Sequence, residues 1–410
     1  MARVPNPIVD PALDAAALLR RVGFFGLFVV VPVAAQVARR ATVVLAPIAL
    51  VLLIIASAID GRQRPVRPAL SQAIRSPVFL AGMLVIAWSM LSLAWTPFPD
   101  QGAERLLNLL ATVLLTLAGY FALPDRMRSA NLYLLPLGIG AAAIVALLIG
   151  LFGDAVLAEN PDGDSTGERA AVLIALMVWP AVAWLRSRRR DIGALFVVLL
   201  AAGALLTAPS TMPLFALAVG AFAFGLTSLR PYWGVRLTAI VSAGLLAIAP
   251  LLPFVVRPIA ALLAGPLAPG ALSLKAWQKV VTGEPLRLVT GHGIETALRG
   301  RLVGLLPVNA PTTMLFELWY ELGIVGALAA ASALCAAILR AGRAPSSLVP
   351  GAMAVFATAF AIACLGVRLT GAWWLTSLAL TLLVFVSIDR GQFRSRRPKA
   401  SLLVRAKSEA

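Results

Sequence analysis

The stretch RLVTGHGIETALRGRLVGLLPVNAPTTMLFELWYELGIVG, residues 287–326, determines how the rest of this chain is interpreted. It contains the only histidine of the protein, His292, which stands between Gly291 and Gly293. Arginine and glutamate are frequent in this stretch, and its second half runs into an apolar segment of membrane-spanning length. Polar groups that converge beside a bilayer mark functional sites, so we expect part of a site here.

The composition excludes a soluble domain. Of the 410 residues, 60% are hydrophobic and 13% are charged, and the mean hydropathy is +0.91. Apolar runs repeatedly approach the ~20 residues that cross the hydrocarbon core of a bilayer. Because a backbone in lipid must satisfy its own hydrogen bonds, and because no alternation at period two is evident, these runs predict helices. The predicted fold class is therefore all-α, a polytopic helical membrane protein.

About twelve transmembrane helices are predicted, with short loops between most of them. We divide the chain into an N-terminal tail (residues 1–21), a membrane domain (22–388) and a basic C-terminal tail (389–410). A long outer loop, 257–313, separates spans nine and ten and contains the segment SLKAWQKVV, which predicts a short amphipathic helix on the membrane face. A second outer loop, 155–169, is acidic and is predicted to be irregular. The predicted spans are 22–38, 42–59, 77–95, 106–124, 132–153, 170–185, 192–208, 212–229, 236–256, 314–339, 348–369 and 372–388.

The formal charge of +17 does not indicate nucleic-acid binding. Most of the excess lies in short tracts beside apolar spans, where Lys and Arg fix orientation, and no basic face carries stacking aromatic residues. Arginines recur in every second connection, so we predict that both termini are cytoplasmic. The pair Arg39-Arg40 departs from this pattern. The arginines that carry it are Arg62, Arg64, Arg67, Arg75, Arg126, Arg128, Arg186, Arg188, Arg189, Arg190, Arg230, Arg236, Arg340 and Arg343.

Several common chemistries lack the residues they need. A His/Cys zinc cluster cannot be built from one histidine and two cysteines inside apolar spans, so we predict no metal. No GxxxxGK[ST] loop is present, which makes ATP-driven transport by this chain improbable, and we predict no cofactor. No serine near His292 occupies a nucleophile elbow, so a serine-hydrolase triad is not indicated.

Cationic residues are concentrated in the long outer loop, on the side where positive charge is normally depleted. An anion such as a lipid diphosphate is the natural ligand for them, because guanidinium groups bind phosphate oxygens bidentately and a low dielectric strengthens the attraction. The alternative is contact with ordinary lipid head groups. The residues concerned are Arg257, Lys275, Lys279, Arg287, Arg299 and Arg301.

Glu317 and Glu321 share one face of the following helix, where they could bind a sugar or act as a general base. An equally good alternative is a helix mouth exposed to water, or pairing with the arginines of the long loop. Trp319 is most simply an interfacial anchor, although aromatic faces also stack on sugars. A lone histidine such as His292 is more often structural than catalytic. Arg169 lies near the outer end of a span, which snorkelling alone explains.

The segments GHGIET and PTTMLFELWYELGIVGAL resemble the O-antigen ligase and polysaccharide polymerase family. Its members carry a Trp-containing helix, a G-x-G turn and a His-containing segment that runs into L-x-x-x-E-L-G-x-x-G. The resemblance covers roughly residues 155–340, and the long late outer loop is consistent with it. The matching positions are Trp277, Gly291, His292, Gly293, Trp319, Glu321, Leu322, Gly323 and Gly326.

The resemblance implies a metal-independent membrane glycosyltransferase in the bacterial inner membrane. Such enzymes move a glycan from an undecaprenyl-diphosphate carrier to an acceptor glycan or lipid at the periplasmic face, in surface polysaccharide ligation or polymerisation. Arginines hold the diphosphate leaving group, and a loop histidine activates the acceptor hydroxyl. Other polysaccharide-assembly proteins are then possible partners.

The sequence departs from the family at the positions that matter most. The family's His-Pro-His-Asn segment aligns with Ala310, Pro311, Thr312 and Thr313, so the usual base is absent. Its Ser-Arg pair at a span start is Ser210-Thr211, and the arginine before Trp277 is replaced by Ser273 or Lys275. We therefore assign acceptor activation to His292, Glu317 and Glu321. Substrate binding is assigned to Arg169, Lys275, Arg287, Arg299, Arg301 and Trp319.

Two other functions remain open from the sequence. A transporter of lipid-linked or small solutes would also be polytopic, but paired halves and midplane charges are not evident. A catalytically inactive scaffold for polysaccharide assembly would account for the missing histidine motif.

Overall fold

The computed structural model describes residues 11–61, 74–156, 163–366 and 371–392, and this part of the chain is helical without any strand. The tail segments 1–10 and 393–410, together with Arg62, Arg64 and Arg67, lie outside the described residues. Within these ranges the protein is an all-α bundle, as predicted from its composition. The helices are α1 (Pro11–Ala34), α2 (Ala41–Asp60), α3 (Pro77–Leu91), α4 (Pro99–Ala122), α5 (Ser129–Val156), α6 (Gly163–Ser187), α7 (Asp191–Leu206), α8 (Met212–Leu229), α9 (Pro231–Ala247), α10 (Leu252–Ala264), α11 (Pro269–Gly283), α12 (Arg287–Thr290), α13 (Thr296–Leu302), α14 (Met314–Ala341), α15 (Val349–Leu365) and α16 (Ala372–Arg390).

Helix length and apolar composition support a multi-pass membrane protein. In the described ranges nine helices are long and apolar enough to cross a membrane, and the bent pair α9–α10 makes ten if it counts as one span. Helices α7 and α15 are also apolar, but with 16 and 17 residues they are shorter than the nine helices that could cross a membrane. Each of the twelve predicted spans overlaps one helix or, for 236–256, the bent pair α9–α10. Nine or ten of them are long enough to cross a membrane.

Helix α6 forms the centre of the bundle. Every residue from Ala170 to Leu185 is buried, as expected of a helix that is hydrophobic around its whole circumference. Helices α5, α7, α8, α15 and α16 pack around it. Its indole Trp179 stacks on Phe224 and donates a 2.8 Å hydrogen bond to the hydroxyl of Thr358, which satisfies the buried N–H.

The prediction that residues 155–169 form an irregular loop is corrected by the structure. The preceding helix α5 continues to Val156 and α6 begins at Gly163, so most of the segment predicted to be irregular is helical; residues 157–162 lie outside the described ranges. At the N-terminus, α1 begins at Pro11, inside the segment 1–21 predicted to be a tail.

The predicted span 236–256 is divided in the structure. Helix α9 ends at Ala247, a short 3-10 turn follows at Ala249–Leu251, and α10 leaves at an angle of 66°. Pro250 and Pro253 cause this break, because proline lacks the N–H that a continuous helix needs. Helix α11, which contains the predicted amphipathic segment, then packs against α10.

The arginine-rich loops meet at one end of the bundle, here called the arginine-rich end and defined by Arg186, Arg188 and Arg390. Arg188 donates to the carbonyl of Gly391 and to the hydroxyl of Ser129. Arg390 donates to the carbonyl of Tyr120 at 2.9 Å. These contacts place the ends of α4, α6 and α16 and the start of α5 together.

The segment 287–326, which contains His292, lies at the other end. It contacts Arg105, near the start of α4, whereas Tyr120 is near the finish of the same helix. Fifteen residues of α-helix separate these two positions, which corresponds to about 22 Å at 1.5 Å per residue. The site described next is therefore at the end of the bundle opposite the arginine-rich end.

Candidate functional site

Helix α14 is broken at Gly323, and the GHG turn lies against the break. Gly323 has φ 63° and ψ −162°, a conformation outside the helix that glycine adopts without steric cost. A Cβ atom at Gly323 would be 2.4 Å from the carbonyl oxygen of Val289, and one at Gly291 would be 2.2 Å from the carbonyl oxygen of Glu321. The two segments therefore approach more closely than any side chain would allow.

Three successive carbonyls before the break accept hydrogen bonds from outside the helix. The Tyr320 carbonyl accepts from the backbone N–H of His292 at 2.8 Å. The Glu321 carbonyl accepts from the N–H of Gly293 at 2.9 Å. The Leu322 carbonyl accepts from the indole of Trp88 at 2.7 Å. The GHG turn is thus attached to the broken helix by backbone geometry, and α3 closes the other side.

A buried ion cluster lies beside the break. The Arg105 guanidinium is 3.0 Å from a carboxylate oxygen of Glu295 and 3.0 Å from one of Glu321. The same Glu321 oxygen accepts the backbone N–H of Ala297 at 3.1 Å. The side chains of Arg105, Glu295 and Glu321 are 12%, 8% and 5% exposed. Buried charges are costly unless they are paired, so this cluster fixes α4, the GHG segment and α14 relative to one another.

The backbone at Glu295 is in a sparsely populated conformation. Its φ is 72°, in the left-handed region that costs a non-glycine residue energy. This conformation aims the carboxylate at Arg105, and the neighbouring Ile294 is held by hydrogen bonds to Ser92 and Thr96 after α3. The surrounding contacts therefore maintain a strained turn next to His292.

The imidazole of His292 is held on three sides. Its ring stacks on Tyr320 with centroids 4.0 Å apart. Nδ1 is 3.1 Å from the Tyr320 carbonyl oxygen, which can only accept, so Nδ1 is assigned as the protonated nitrogen. Nε2 is 3.1 Å from a carboxylate oxygen of Glu284. A proton can be shared across this last contact, which makes His292 and Glu284 a positioned acid–base pair.

This pair opens into a shallow cleft that lies between α11 and the first half of α14. The cleft has about 310 Å³ of atom-free space, part of it open to solvent. Its walls are mainly apolar, and four of the eleven lining residues are Phe, Trp or Tyr. Phe316 stacks on Tyr320 and meets Trp277 edge to face. The lining residues are Pro250, Trp277, Val280, Val281, Glu284, Arg287, Leu288, His292, Phe316, Trp319 and Tyr320.

The cleft brings together three of the residues that the sequence identified, His292, Arg287 and Trp319. Arg287 is exposed at the rim. Trp319 is buried and donates its indole N–H to the carbonyl of Leu246 at 2.7 Å. Trp319 therefore also joins α14 to α9, a role beyond the interfacial anchor that the sequence indicated.

Glu317 and Glu321 are both buried, each 4% exposed, so the alternative of a water-exposed helix mouth is wrong. Glu321 faces the ion cluster, and neither carboxylate is among the residues that line the cleft. Glu321 does pair with an arginine, but not with one of the loop arginines that the sequence suggested. Its partner is Arg105.

The remaining predicted cations do not share the cleft with Arg287. Arg299 is 3.6 Å from Glu295 and belongs to the edge of the ion cluster. Arg301 donates to the carbonyl of Pro311. Lys275 is exposed on α11, and Arg169 lies over the ring of Trp373, 5.4 Å from its centroid.

Arg105, Glu284 and Glu295 belong to the site but were not predicted from the sequence. Arg105 falls one residue before a predicted span, where a charge is ordinarily taken for an interfacial residue. The only feature of the sequence that could have indicated its role is its position. It follows Glu104 near the start of an apolar helix, on the same side of the membrane as the long loop. In the part of the chain that the structure describes, no three His, Cys, Asp or Glu side chains form a group that could hold a metal ion.

No family model matches this chain, and no curated protein sequence matches it.

Proposed function

We propose that the protein is a membrane-embedded glycosyltransferase that moves a glycan from an undecaprenyl-diphosphate carrier to an acceptor glycan or lipid. The observation that supports this most is the cleft, where an acid–base pair, a rim arginine and aromatic wall residues lie together at one end of a membrane bundle. The resemblance of the GHG and ELG-x-x-G segments to the ligase and polymerase family points the same way.

In the proposed reaction, an acceptor hydroxyl oxygen attacks the anomeric carbon and forms the new glycosidic bond. The bond from that carbon to the diphosphate oxygen breaks, and its electron pair stays on the diphosphate. The hydroxyl proton passes to Nε2 of His292, the ring nitrogen that is unprotonated when Nδ1 donates to the Tyr320 carbonyl. The Glu284 carboxylate, 3.1 Å from Nε2, stabilises the imidazolium that forms. The Arg287 guanidinium stabilises the charge that develops on the departing diphosphate.

The proposal also assigns a location. It places the protein in the bacterial inner membrane, with the arginine-rich end and both termini in the cytoplasm and the cleft in the periplasm. The narrow cleft must widen to admit a sugar, and its α11 wall is the part that could move, since the α14 wall is fixed by the ion cluster and the backbone contacts at Gly323.

The direct test uses the purified protein in proteoliposomes with an undecaprenyl-diphosphate-linked glycan and an acceptor glycan, and follows release of undecaprenyl diphosphate. We expect His292→Ala to lower the transfer rate by about 10²–10⁴-fold, the usual contribution of a general base. Arg287→Ala should also reduce it, whereas Arg343→Ala, an exposed arginine beyond the far end of α14, should not. Unchanged transfer in His292→Ala and Arg287→Ala would exclude this assignment.

One observation favours transport as a second function. A helix interrupted at Gly323 beside a buried ion cluster is a feature of transporters, whose substrate sites use broken helices and intramembrane charges. The same proteoliposomes distinguish the two functions. A transporter would move the lipid-linked glycan between leaflets with its glycosidic bond intact, whereas a transferase releases undecaprenyl diphosphate. A protein that does neither would be the inactive scaffold.

A further inference from the structure

Helix α10 presents an apolar stripe that no part of the described chain covers. The exposed fractions of Val255, Ile259, Leu262 and Leu263 are 64%, 54%, 86% and 81%. These positions recur at helical spacing and continue Leu251, in the 3-10 turn before the helix, which is 62% exposed. An apolar stripe of this period needs an apolar surface to face.

The other face of α10 is turned toward the protein. Arg257 donates a 2.6 Å hydrogen bond to the side-chain carbonyl oxygen of Gln278 on α11. The two helices pack as a hairpin around Gly265, whose φ of 92° permits the turn. The stripe and the face that contacts α11 are therefore on different sides of one amphipathic helix.

The depth and direction of α10 follow from α9. Helix α9 has 17 residues, about 25 Å at 1.5 Å per residue, which is close to the ~30 Å thickness of the hydrocarbon core. It starts at the arginine-rich end and finishes at the cleft end. The bend of 66° then turns α10 away from the direction of the span. Helix α10 thus begins near the membrane boundary and runs more along the membrane than across it.

We propose that α10 lies in the plane of the membrane at the cleft end and docks on the bilayer interface. Its stripe enters the boundary between acyl chains and head groups, as amphipathic interfacial helices do. The stripe is continuous with the exposed apolar side of α9, where Ile240 is 67% exposed, through Ile248, which directly follows α9 and is 49% exposed. Exposed Lys275 and Lys279 on α11 have the charge that anionic head groups attract.

This anchoring has a consequence for the cleft. Trp277, Val280 and Val281 of α11 form one wall of the cleft, and Pro250 of the turn before α10 lies at its edge. Because α10 and α11 pack together, the depth of α10 in the bilayer sets the position of that wall. The bilayer interface is therefore a structural partner of the cleft, whichever reaction or transport step takes place there.

Spin-label accessibility tests this inference without any activity measurement. In a background with Cys335→Ala and Cys364→Ala, the native free cysteines, nitroxides are attached at Leu262→Cys and Lys275→Cys, and the protein is placed in phosphatidylglycerol vesicles. We expect the Leu262 label to collide with oxygen and to be shielded from a water-soluble nickel chelate. The label at Lys275 should show the reverse preference.

A label at Leu263→Cys provides a second reading if the Leu262 variant does not fold, and monodispersity in size-exclusion chromatography identifies the folded variants. Access of the nickel chelate to both stripe positions would place α10 in water and overturn the inference. Shielding of both positions from oxygen as well as nickel would show that a second copy or another protein covers the stripe, which would also overturn it.

Discussion

At the scale of single residues, three glycines make the site possible. Gly291 and Gly323 lie against each other's backbones, and Gly293 approaches Thr96, so that a Cβ atom there would be 2.6 Å away. All three have positive φ values of 76°, 63° and 96°. A side chain at any of them would meet two separate penalties, the left-handed conformation and the loss of close contact.

Gly304 is a control that has a positive φ without the close contact. Its φ is 77°, but nothing lies within 4 Å of the position that a Cβ atom would occupy. We expect Gly304→Ala to cost roughly 1–2 kcal/mol for the left-handed conformation alone. Gly291→Ala and Gly323→Ala should cost a further ~1–3 kcal/mol for overpacking. Thermal unfolding midpoints in detergent measure both; equal shifts in all three variants would show that close contact at the break is unimportant.

The ion cluster predicts an order of stabilities. Arg105→Met leaves two buried carboxylates without their shared cation, a change that costs about 3–5 kcal/mol at buried pairs. Glu321→Gln should cost less, because Arg105 keeps Glu295 as a partner. The exposed pair Arg186–Asp191 is the control, and Asp191→Asn should cost less than ~1 kcal/mol. The opposite order in thermal unfolding would contradict the proposed role of Arg105.

The sequence identified the residues of this site whose surroundings are local. Gly291, His292 and Gly293 are adjacent in sequence, whereas the break at Gly323 was not predicted, because residues 314–339 were expected to form one continuous span. Arg105 was missed because its burial depends on segments about 190 and 216 residues away. Glu284 was missed because its contact with His292 depends on the turn between α11 and α12, which composition does not specify.

At the scale of elements, one side of the site is formed by the connection between α3 and α4. It consists of Trp88, the 3-10 turn Ser92–Ala94 and the start of α4. Trp88, Ser92, Thr96 and Arg105 each contact the GHG segment or the broken helix. These four contacts come from a stretch of 18 residues. The α3–α4 hairpin therefore has a binding surface for the later part of the chain, in addition to crossing the membrane.

A pair of tryptophans tests this role of the hairpin. The Trp88 indole donates to the Leu322 carbonyl, whereas the buried Trp95 indole nitrogen has no hydrogen-bond partner in the described part of the chain. The two rings contact each other edge to face, so Trp88→Phe and Trp95→Phe disturb that contact alike. We expect Trp88→Phe to cost ~1–3 kcal/mol more, since a buried carbonyl loses its donor. Equal thermal midpoints would contradict this.

The helices themselves were largely predictable from hydropathy, because the membrane requires long apolar segments. The exceptions are the places where a different constraint acts. Pro250 and Pro253 divide the predicted ninth span, although its apolar run continues without interruption. In α14 the apolar run likewise continues through Gly323, so hydropathy gives no sign of the break, and only the glycine does.

At the scale of the whole molecule, the arginine-rich end and the candidate site lie at opposite ends of the bundle. Arg186, Arg188 and Arg390 tie the helix ends together at one end, and His292 with the ion cluster lies at the other. The arginines recur in every second connection of the sequence, and every second connection must lie on the same side of the bundle. Their spacing therefore predicted that the arginine-rich end and the long loop lie at different ends. Which end faces the cytoplasm is part of the proposal and needs its own measurement.

Cysteine labelling in intact cells provides that measurement. In the background with Cys335→Ala and Cys364→Ala, Lys275→Cys should react with a membrane-impermeant maleimide once the outer membrane is permeable. Arg128→Cys, exposed near the arginine-rich end, should react only after the inner membrane is disrupted. The reverse pattern would invert the orientation and place the cleft in the cytoplasm.

The ion cluster has a consequence for how the protein is made. Ribosomes deliver Arg105 to the membrane long before Glu295 and Glu321 exist, because 190 and 216 residues separate the partners. During that interval the Arg105 guanidinium has neither of its counter-ions. The site can be completed only after Glu321 has been synthesised, late in the 410-residue chain.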